Sequence, residues 1–271
     1  MIRVGIGGWT FAPWRGPFYP KGLAHAEELA FASRRVTAIE INGTFYRTQS
    51  PASFRKWAEE TPEGFVFTVK GHRSVTNRKT LAEAGESIAF FLNSGVLELG
   101  DKLGPILWQL APLKKFAAED LDAFLALLPP EHGGRPLRHA IEARHPSFLD
   151  PAFVEIARRR EVAIVYADHE SYAALADPTG DFVYARLQRS REGEPAGYPD
   201  TELDRWADHA RTWAAGAVPA DLPRLGPEPP SRGAARDVFV FFISGEKVLN
   251  PAAASALLTR LSPKPGGSVS G

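Results

Sequence analysis

Eight short apolar runs, each followed by residues at helical spacing, govern what this chain can fold into. The runs are Arg3–Gly7, Ala38–Ile41, Phe65–Lys70, Pro105–Leu110, His139–Glu142, Ala163–Ala167, Phe182–Leu187 and Val238–Ile243. Strands that alternate with helices imply right-handed crossovers and a parallel sheet. Eight such units in 271 residues is the number a closed barrel needs, and that fold usually takes about 250 residues. A doubly wound open sheet is the rival. Against it, GIGGW at the first strand lacks the G-x-G-x-x-G spacing of a dinucleotide-binding turn. The expected fold is α/β, a (β/α)8 barrel of the TIM type.

Local signals place the helices. Ser50-Pro51, Asp150-Pro151 and Asn250-Pro251 each supply a capping side chain followed by a proline at the first helical position. Leu121, Phe124, Leu125 and Leu128 fall at i, i+3, i+4 and i+7, one face of an amphipathic helix. After the sixth strand there is room only for a turn of helix around Ser171–Leu175, so that helix is expected to be short or missing. Residues 1–262 are read as a single barrel domain. Within it Pro219–Arg236, rich in Pro, Gly and Arg, is expected to be a flexible loop, and residues 263–271 a disordered tail.

Composition removes several classes of function. The chain has no cysteine, which excludes disulfides, thiolate nucleophiles and cysteine-held metals. Its formal net charge is zero, so no bulk field draws in nucleic acid. No apolar run approaches the roughly 18 residues of a membrane-spanning helix. The first strand begins at once, without a basic-then-apolar leader. A cytoplasmic protein with no membrane partner is the expectation.

In a barrel of this type the site forms where the strands end and their loops begin. Those positions hold Trp9, Glu40, Asn42, Lys70, Gln109, Glu142, Arg144, His145, Asp168, His169 and Arg186. Any one of these charges could simply be neutralised by a neighbour, because buried charges are normally paired. Their shared location is the stronger signal. The loops on this face, with the strand-end carboxylates, hold fourteen Lys and Arg against seven Asp and Glu. That excess would draw an anionic ligand into the mouth. Trp14, Phe18, Tyr19, Phe45, Tyr46, Phe148 and Tyr198 share the loops, either as stacking surfaces or as plugs over the barrel.

Three chemistries fit this ring. Glu142-x-x-His145 with Asp168-His169 offers oxygen and imidazole ligands for one divalent metal, Mg, Mn or Zn. A multinuclear zinc site lacks its further histidines. Glu142, Asp168 and His145 are thus the candidate catalytic residues and the metal ligands, if there are any. Glu40 and Glu142, three strands apart, could instead form the carboxylate pair of a carbohydrate-active enzyme. Beside Lys70 on the next strand, Glu40 reads better as the partner that orients this cation.

The chain resembles the YecE-like family (domain of unknown function 72). The resemblance rests on GIGGW and FYP (Phe18–Pro20), IEINGTFY (Ile39–Tyr46), FVFTVKGHRSVTN (Phe65–Asn77), LGDKLGPILWQLAP (Leu99–Pro112), IEARHPSF (Ile141–Phe148) and FVYARL (Phe182–Leu187). It implies a TIM-type barrel with its pocket at these strand ends, and no settled activity. By position it implies ligand contacts at Trp9, Glu40, Asn42, Phe45, Tyr46, Lys70, Gln109, Arg144 and Arg186. Asn77, Gln188-Arg189 and Phe242-Ile243-Ser244 depart from the family pattern. The functional expectation is an anionic small-molecule or nucleic-acid ligand bound at the mouth. Hydrolysis of the phosphodiesterase type and non-catalytic binding of nucleotide or single strands are the two versions of it.

Overall fold

A computed structural model describes residues 1–226, 235–243 and 245–262 of the chain. Eight parallel strands form a closed barrel: β1 (Ile2–Gly7), β2 (Ala38–Ile41), β3 (Val66–Lys70), β4 (Leu103–Gln109), β5 (His139–Glu142), β6 (Ala163–Asp168), β7 (Phe182–Leu187) and β8 (Asp237–Phe242). Each strand pairs with its neighbours in sequence, and β8 closes on β1 with Ile2 opposite Val238. The helices are α1 (Glu28–Ala32), α2 (Pro51–Glu60), the single turn α3 (Arg73–Thr76), α4 (Gly85–Leu92), α5 (Ala118–Ala126), α6 (Pro151–Arg159), α7 (Asp200–Ala214) and α8 (Asn250–Leu261). Among the described residues none is long and apolar enough to cross a membrane.

The strands are buried on both faces, and alternation decides which layer each side chain joins. Ala38, Val66, Leu107, Ala140, Val165, Tyr184 and Phe239 pack inside the barrel. Ile39, Phe67, Ile106, Ile141, Ile164, Val183 and Val240 pack outward against the helices. Carried to the strand ends, this parity aims Glu40, Lys70, Gln109, Glu142 and Arg186 into the lumen, while Asp168 falls on the helix side.

The local signals act as read at two helix starts. Ser50 Oγ accepts from the Ser53 amide at 3.2 Å, and Asp150 Oδ1 accepts from the Ala152 amide at 2.8 Å. At α8 the reading differs: the cap position is Leu249, and the Asn250 side chain instead accepts from Ser190 Oγ at 3.0 Å. Asn250 is used to tie two mouth loops together. Between β6 and β7 there is no helix at all, not even one turn. The connection is pinned by Thr179, whose hydroxyl donates to the Val162 carbonyl and accepts from the Ile164 amide. Of the segment expected to be a flexible loop, residues 219–226 are bonded to this same connection. The Ala176 amide donates to the Pro223 carbonyl, and Asp177 accepts from the Leu225 and Gly226 amides. Residues 227–234 of that segment, Ser244 and the expected tail lie outside the described residues.

One glycine fixes the approach of β1 to β2. A methyl group at Gly5 would lie 2.1 Å from the Ala38 carbonyl oxygen and 2.9 Å from the Phe241 ring. Strand backbone on one side and a core ring on the other leave it no direction in which to relax. Gly5→Ala is therefore expected to destabilise the barrel by about 3 kcal/mol or more, read as a lower urea midpoint. A loss below about 1 kcal/mol would show that the β1–β2 contact yields.

Candidate functional site

The lumen below the mouth is filled by one ionic network. Arg186, at the end of β7 and 2 % exposed, spans between two carboxylates on strands that do not pair with β7. Its Nε and Nη2 donate to Glu40 Oε2 and Oε1 at 3.1 and 3.0 Å, and its Nη1 donates to Glu142 Oε2. A guanidinium fork suits this bidentate geometry. The Tyr184 hydroxyl donates to Glu40 Oε2 at 2.7 Å and shares a 2.8 Å bond with Thr68 Oγ1. Arg144 Nε donates to Glu142 Oε1 at 2.7 Å, and Gln109 Nε2 donates to Glu142 Oε2 at 3.0 Å.

The titration of these groups follows from the pairing. Burial alone would raise the Glu142 carboxyl. Arg186 and Arg144, with the bonds from Gln109 and Arg144, override it and hold the group at about 2. Burial opposes the Arg186 charge as well, and Glu142 and Glu40 push its guanidinium above the ordinary value. Burial drives Tyr184 well above the ordinary phenol, with Glu40 adding to the rise.

Lys70 is the exception. It is 8 % exposed, yet among the described residues its Nζ makes no hydrogen bond or ion pair. Its one close partner is the Phe45 ring, 4.2 Å below the ammonium. Burial, then the Arg186 charge, pull it down to about 8; Glu40 and Glu142 act against the fall and Arg144 adds to it. The expectation that Glu40 pairs with Lys70 is thus corrected. The carboxylate is taken by Arg186 from across the lumen.

The other strand-end residues separate into three groups. Asn42 and Phe45 stay at the mouth, where Asn42 heads the short turn Gly43–Phe45 and donates to the Glu40 carbonyl at 3.4 Å. Tyr46 is 67 % exposed on the rim, edge-on to Phe45. Trp9 turns toward the helices and packs at 5.0 Å on Trp57 and 6.1 Å on Phe67, so it is a wall. Trp14, Tyr19, Phe148 and Tyr198 are fully buried plugs.

The metal arrangement does not assemble. Both Glu142 oxygens are occupied by Arg144, Gln109 and Arg186. His145 Nδ1 is bound to the Ser147 amide and hydroxyl and caps a turn. Asp168 stands beside Leu187 on the helix side, with Arg189 at 3.7 Å. Among the described residues no three His, Asp or Glu side chains come together as ligands. The donor set does not gather among the described residues: three of the roughly four acceptor sites of the Glu142 carboxylate are taken, and His145 Nδ1 is used as a cap.

The basic excess of the mouth is also smaller than the loops suggest. Arg15 pairs with Glu28, Lys114 with Asp120 and Arg191 with Glu202. Asp120 and Glu202 sit in the first turns of α5 and α7, and Glu28 opens α1. Of the family departures, Gln188 and Ile243 are buried and Asn77 closes α3.

Two uncharged residues, Tyr172 at the rim and Tyr184 in the lumen, complete the site. Tyr172, in the helix-free connection, lies between His169, stacked at 3.7 Å and 11°, and the Arg144 guanidinium at 4.5 Å. Tyr172 and Tyr184 carry no charge and so escape a search for ionisable strand ends. Tyr184 stands two residues before Arg186, and that spacing alone places it on the same face.

Two outcomes are expected. Arg186→Met leaves the buried Glu40 carboxylate without an ion pair and Glu142 with Arg144 alone, and should cost about 3–5 kcal/mol, measured by urea unfolding; adding Glu40→Gln and Glu142→Gln should recover part of the loss. Asp168 is buried with Oδ2 unpartnered among the described residues. Burial raises its carboxyl to about 6, with Arg189 opposing and Glu202 reinforcing. A folded-state value above the unfolded one gives stability that is present at low pH and lost as pH rises through 6. Asp168→Asn should therefore melt higher than the parent above pH 6, and the gap should close toward pH 4. A gap that is constant with pH would mean that Asp168 does not titrate in this range.

Comparison with known proteins places this geometry. The chain is 28 % identical over 160 residues to the UPF0759 protein YunF of Bacillus subtilis, covering 57 % of this chain and 55 % of that protein. It is 27 % identical over 152 residues to the UPF0759 protein YecE of Escherichia coli K12, covering 55 % and 50 %. The matched region thus spans about half the length of these curated relatives. The crystal structure of a DUF72 family protein from Thermotoga maritima superposes with a TM-score of 0.70 at 24 % identity, over 95 % of this chain and 97 % of that one. The model of the protein family of unknown function DUF72 matches residues 3–268, and the chain belongs to that family.

Proposed function

We propose that the mouth of this barrel binds an anionic, phosphate-bearing ligand, with Lys70 as the principal contact and Arg144 beside it. The observation that carries this reading is the unpaired charge of Lys70. Glu40 and Glu142 bring two negative charges to the lumen, and Arg186, Arg144 and Lys70 bring three positive ones. The surplus sits at the Lys70 ammonium. A buried cation without a counter-ion is costly unless a partner completes it. Nucleotides, sugar phosphates and single-stranded nucleic acid all carry the required group.

The same geometry weighs against carboxylate catalysis. Glycoside hydrolysis needs one carboxyl with a raised pKa and another free to act as base or nucleophile. Here one arginine occupies both, and Glu142 titrates at about 2. Among the described residues no three His, Asp or Glu gather as the ligand set of a metal-assisted phosphodiesterase. Binding is therefore the primary reading.

The cost of the vacant cation gives the test. A lysine near 8 in the folded chain against about 10.4 when unfolded loses stability on the order of 3 kcal/mol. The unfolded state binds more protons between those values, so the penalty is full below pH 8 and fades as pH rises toward 10. Lys70→Met should raise the melting temperature at pH 7, with the gain shrinking by pH 10. In a thermal-shift screen of nucleotides, sugar phosphates and oligonucleotides, a ligand of the native state raises the parent's melting point by mass action. That rise should fall with salt, persist in EDTA, and be absent in Lys70→Met. A rise that survives this substitution, or none with any phosphate-bearing compound, sinks the reading.

A further inference from the structure

We propose that Lys70 is a nucleophilic amine, and that the ligand of this mouth carries an aldehyde or ketone carbonyl as well as its anionic group. The inference rests on the reading of the mouth as an anion site and adds covalent chemistry to it.

The ammonium is set differently from those of Lys102 and Lys114; Lys247, half-buried over the Phe11 and Trp14 rings, shares the aromatic setting, but only burial lowers it, with no neighbouring cation acting on it. Lys102 Nζ donates to the Ala58 and Thr61 carbonyls and the Thr61 hydroxyl. Lys114 Nζ donates to the Lys79 carbonyl and to Asp120. Those amines are held by acceptors that favour the charged form. Lys70 has no acceptor among the described residues; it lies over an aromatic ring, and the Arg186 charge acts against its own. Desolvation and a neighbouring cation are the two conditions that free a lysine lone pair near neutral pH. The carboxylates that could have re-protonated it are committed: Glu40 to Arg186 and Tyr184, Glu142 to Arg186, Arg144 and Gln109.

The step balances without a further reagent. The ammonium first gives a proton to solvent. The neutral nitrogen then attacks the carbonyl carbon, and the displaced π pair at oxygen takes up the proton that nitrogen sheds, giving a carbinolamine. Loss of hydroxide with one more proton, as water, leaves a protonated imine. One ammonium and one carbonyl thus become one iminium and one water. The positive charge stays at the end of β3, so the anion that it holds is not released.

The test uses the full chain, glyceraldehyde 3-phosphate and sodium cyanoborohydride at pH 7.5, with peptide mapping by mass spectrometry. Reduction should fix the adduct on Lys70 at least about tenfold faster than on the exposed Lys21 or Lys115, given the larger neutral fraction of a lysine near 8. Inorganic phosphate should slow this labelling, and glyceraldehyde without its phosphate should react more slowly at Lys70. Lys70→Arg should lose the adduct. Labelling at Lys70 no faster than at the exposed lysines overturns the proposal. A phosphate-dependent thermal shift without preferential labelling overturns the imine and leaves the anion site standing; absence of both removes both.

Discussion

The mouth of this barrel depends on one guanidinium. Arg186 crosses the lumen to two carboxylates carried by strands that are not its neighbours. A pair of buried acids without it would repel, shift upward and take up protons. With it, three strands are tied at one height, and the orientation of every other polar group follows. Tyr184 is fixed by Glu40, Arg144 and Gln109 by Glu142. Such a network is weak as a source of net stability, because desolvating three charges offsets most of what their attraction returns. What it provides is a single geometry.

That geometry explains why Lys70 is left over. The lumen holds an odd number of charges, and arginine outcompetes lysine for both carboxylates because its planar fork makes two bonds at once and it sheds water more readily. Lysine, a point charge on a flexible stem, is the member displaced. Its place over Phe45 gives the ammonium a weak, non-protonating partner. The site therefore combines a rigid, neutral frame with one group whose charge state responds to pH.

Much of the frame was legible in the residues. The eight strands and the lumen-facing set follow from period-two alternation, which needs no tertiary knowledge. The partner of Glu40 did not follow. Reasoning from adjacent strands pairs it with Lys70, whereas a long arginine side chain reaches beyond its nearest strands. Asp168 faces the helices because the sixth strand runs one residue further than its apolar run, and one residue turns a side chain to the opposite face. The surplus of basic loops was overstated because a count of loop residues omits the acids in helix first turns. In a parallel barrel those turns lie on the same face as the loops, and acids are favoured there by the helix dipole.

The connection between β6 and β7 bears on how relatives of this barrel can differ. It has no helix, so no heptad or strand register restrains its length. It is tethered at its far end by Thr179 and Asp177, while Tyr172 near its start is clamped between His169 and Arg144. An inserted or deleted residue between those anchors would displace Tyr172 and re-aim Arg144 without touching a barrel strand. The shape of the mouth can thus drift through chain length in this one segment while the charged frame beneath stays constant.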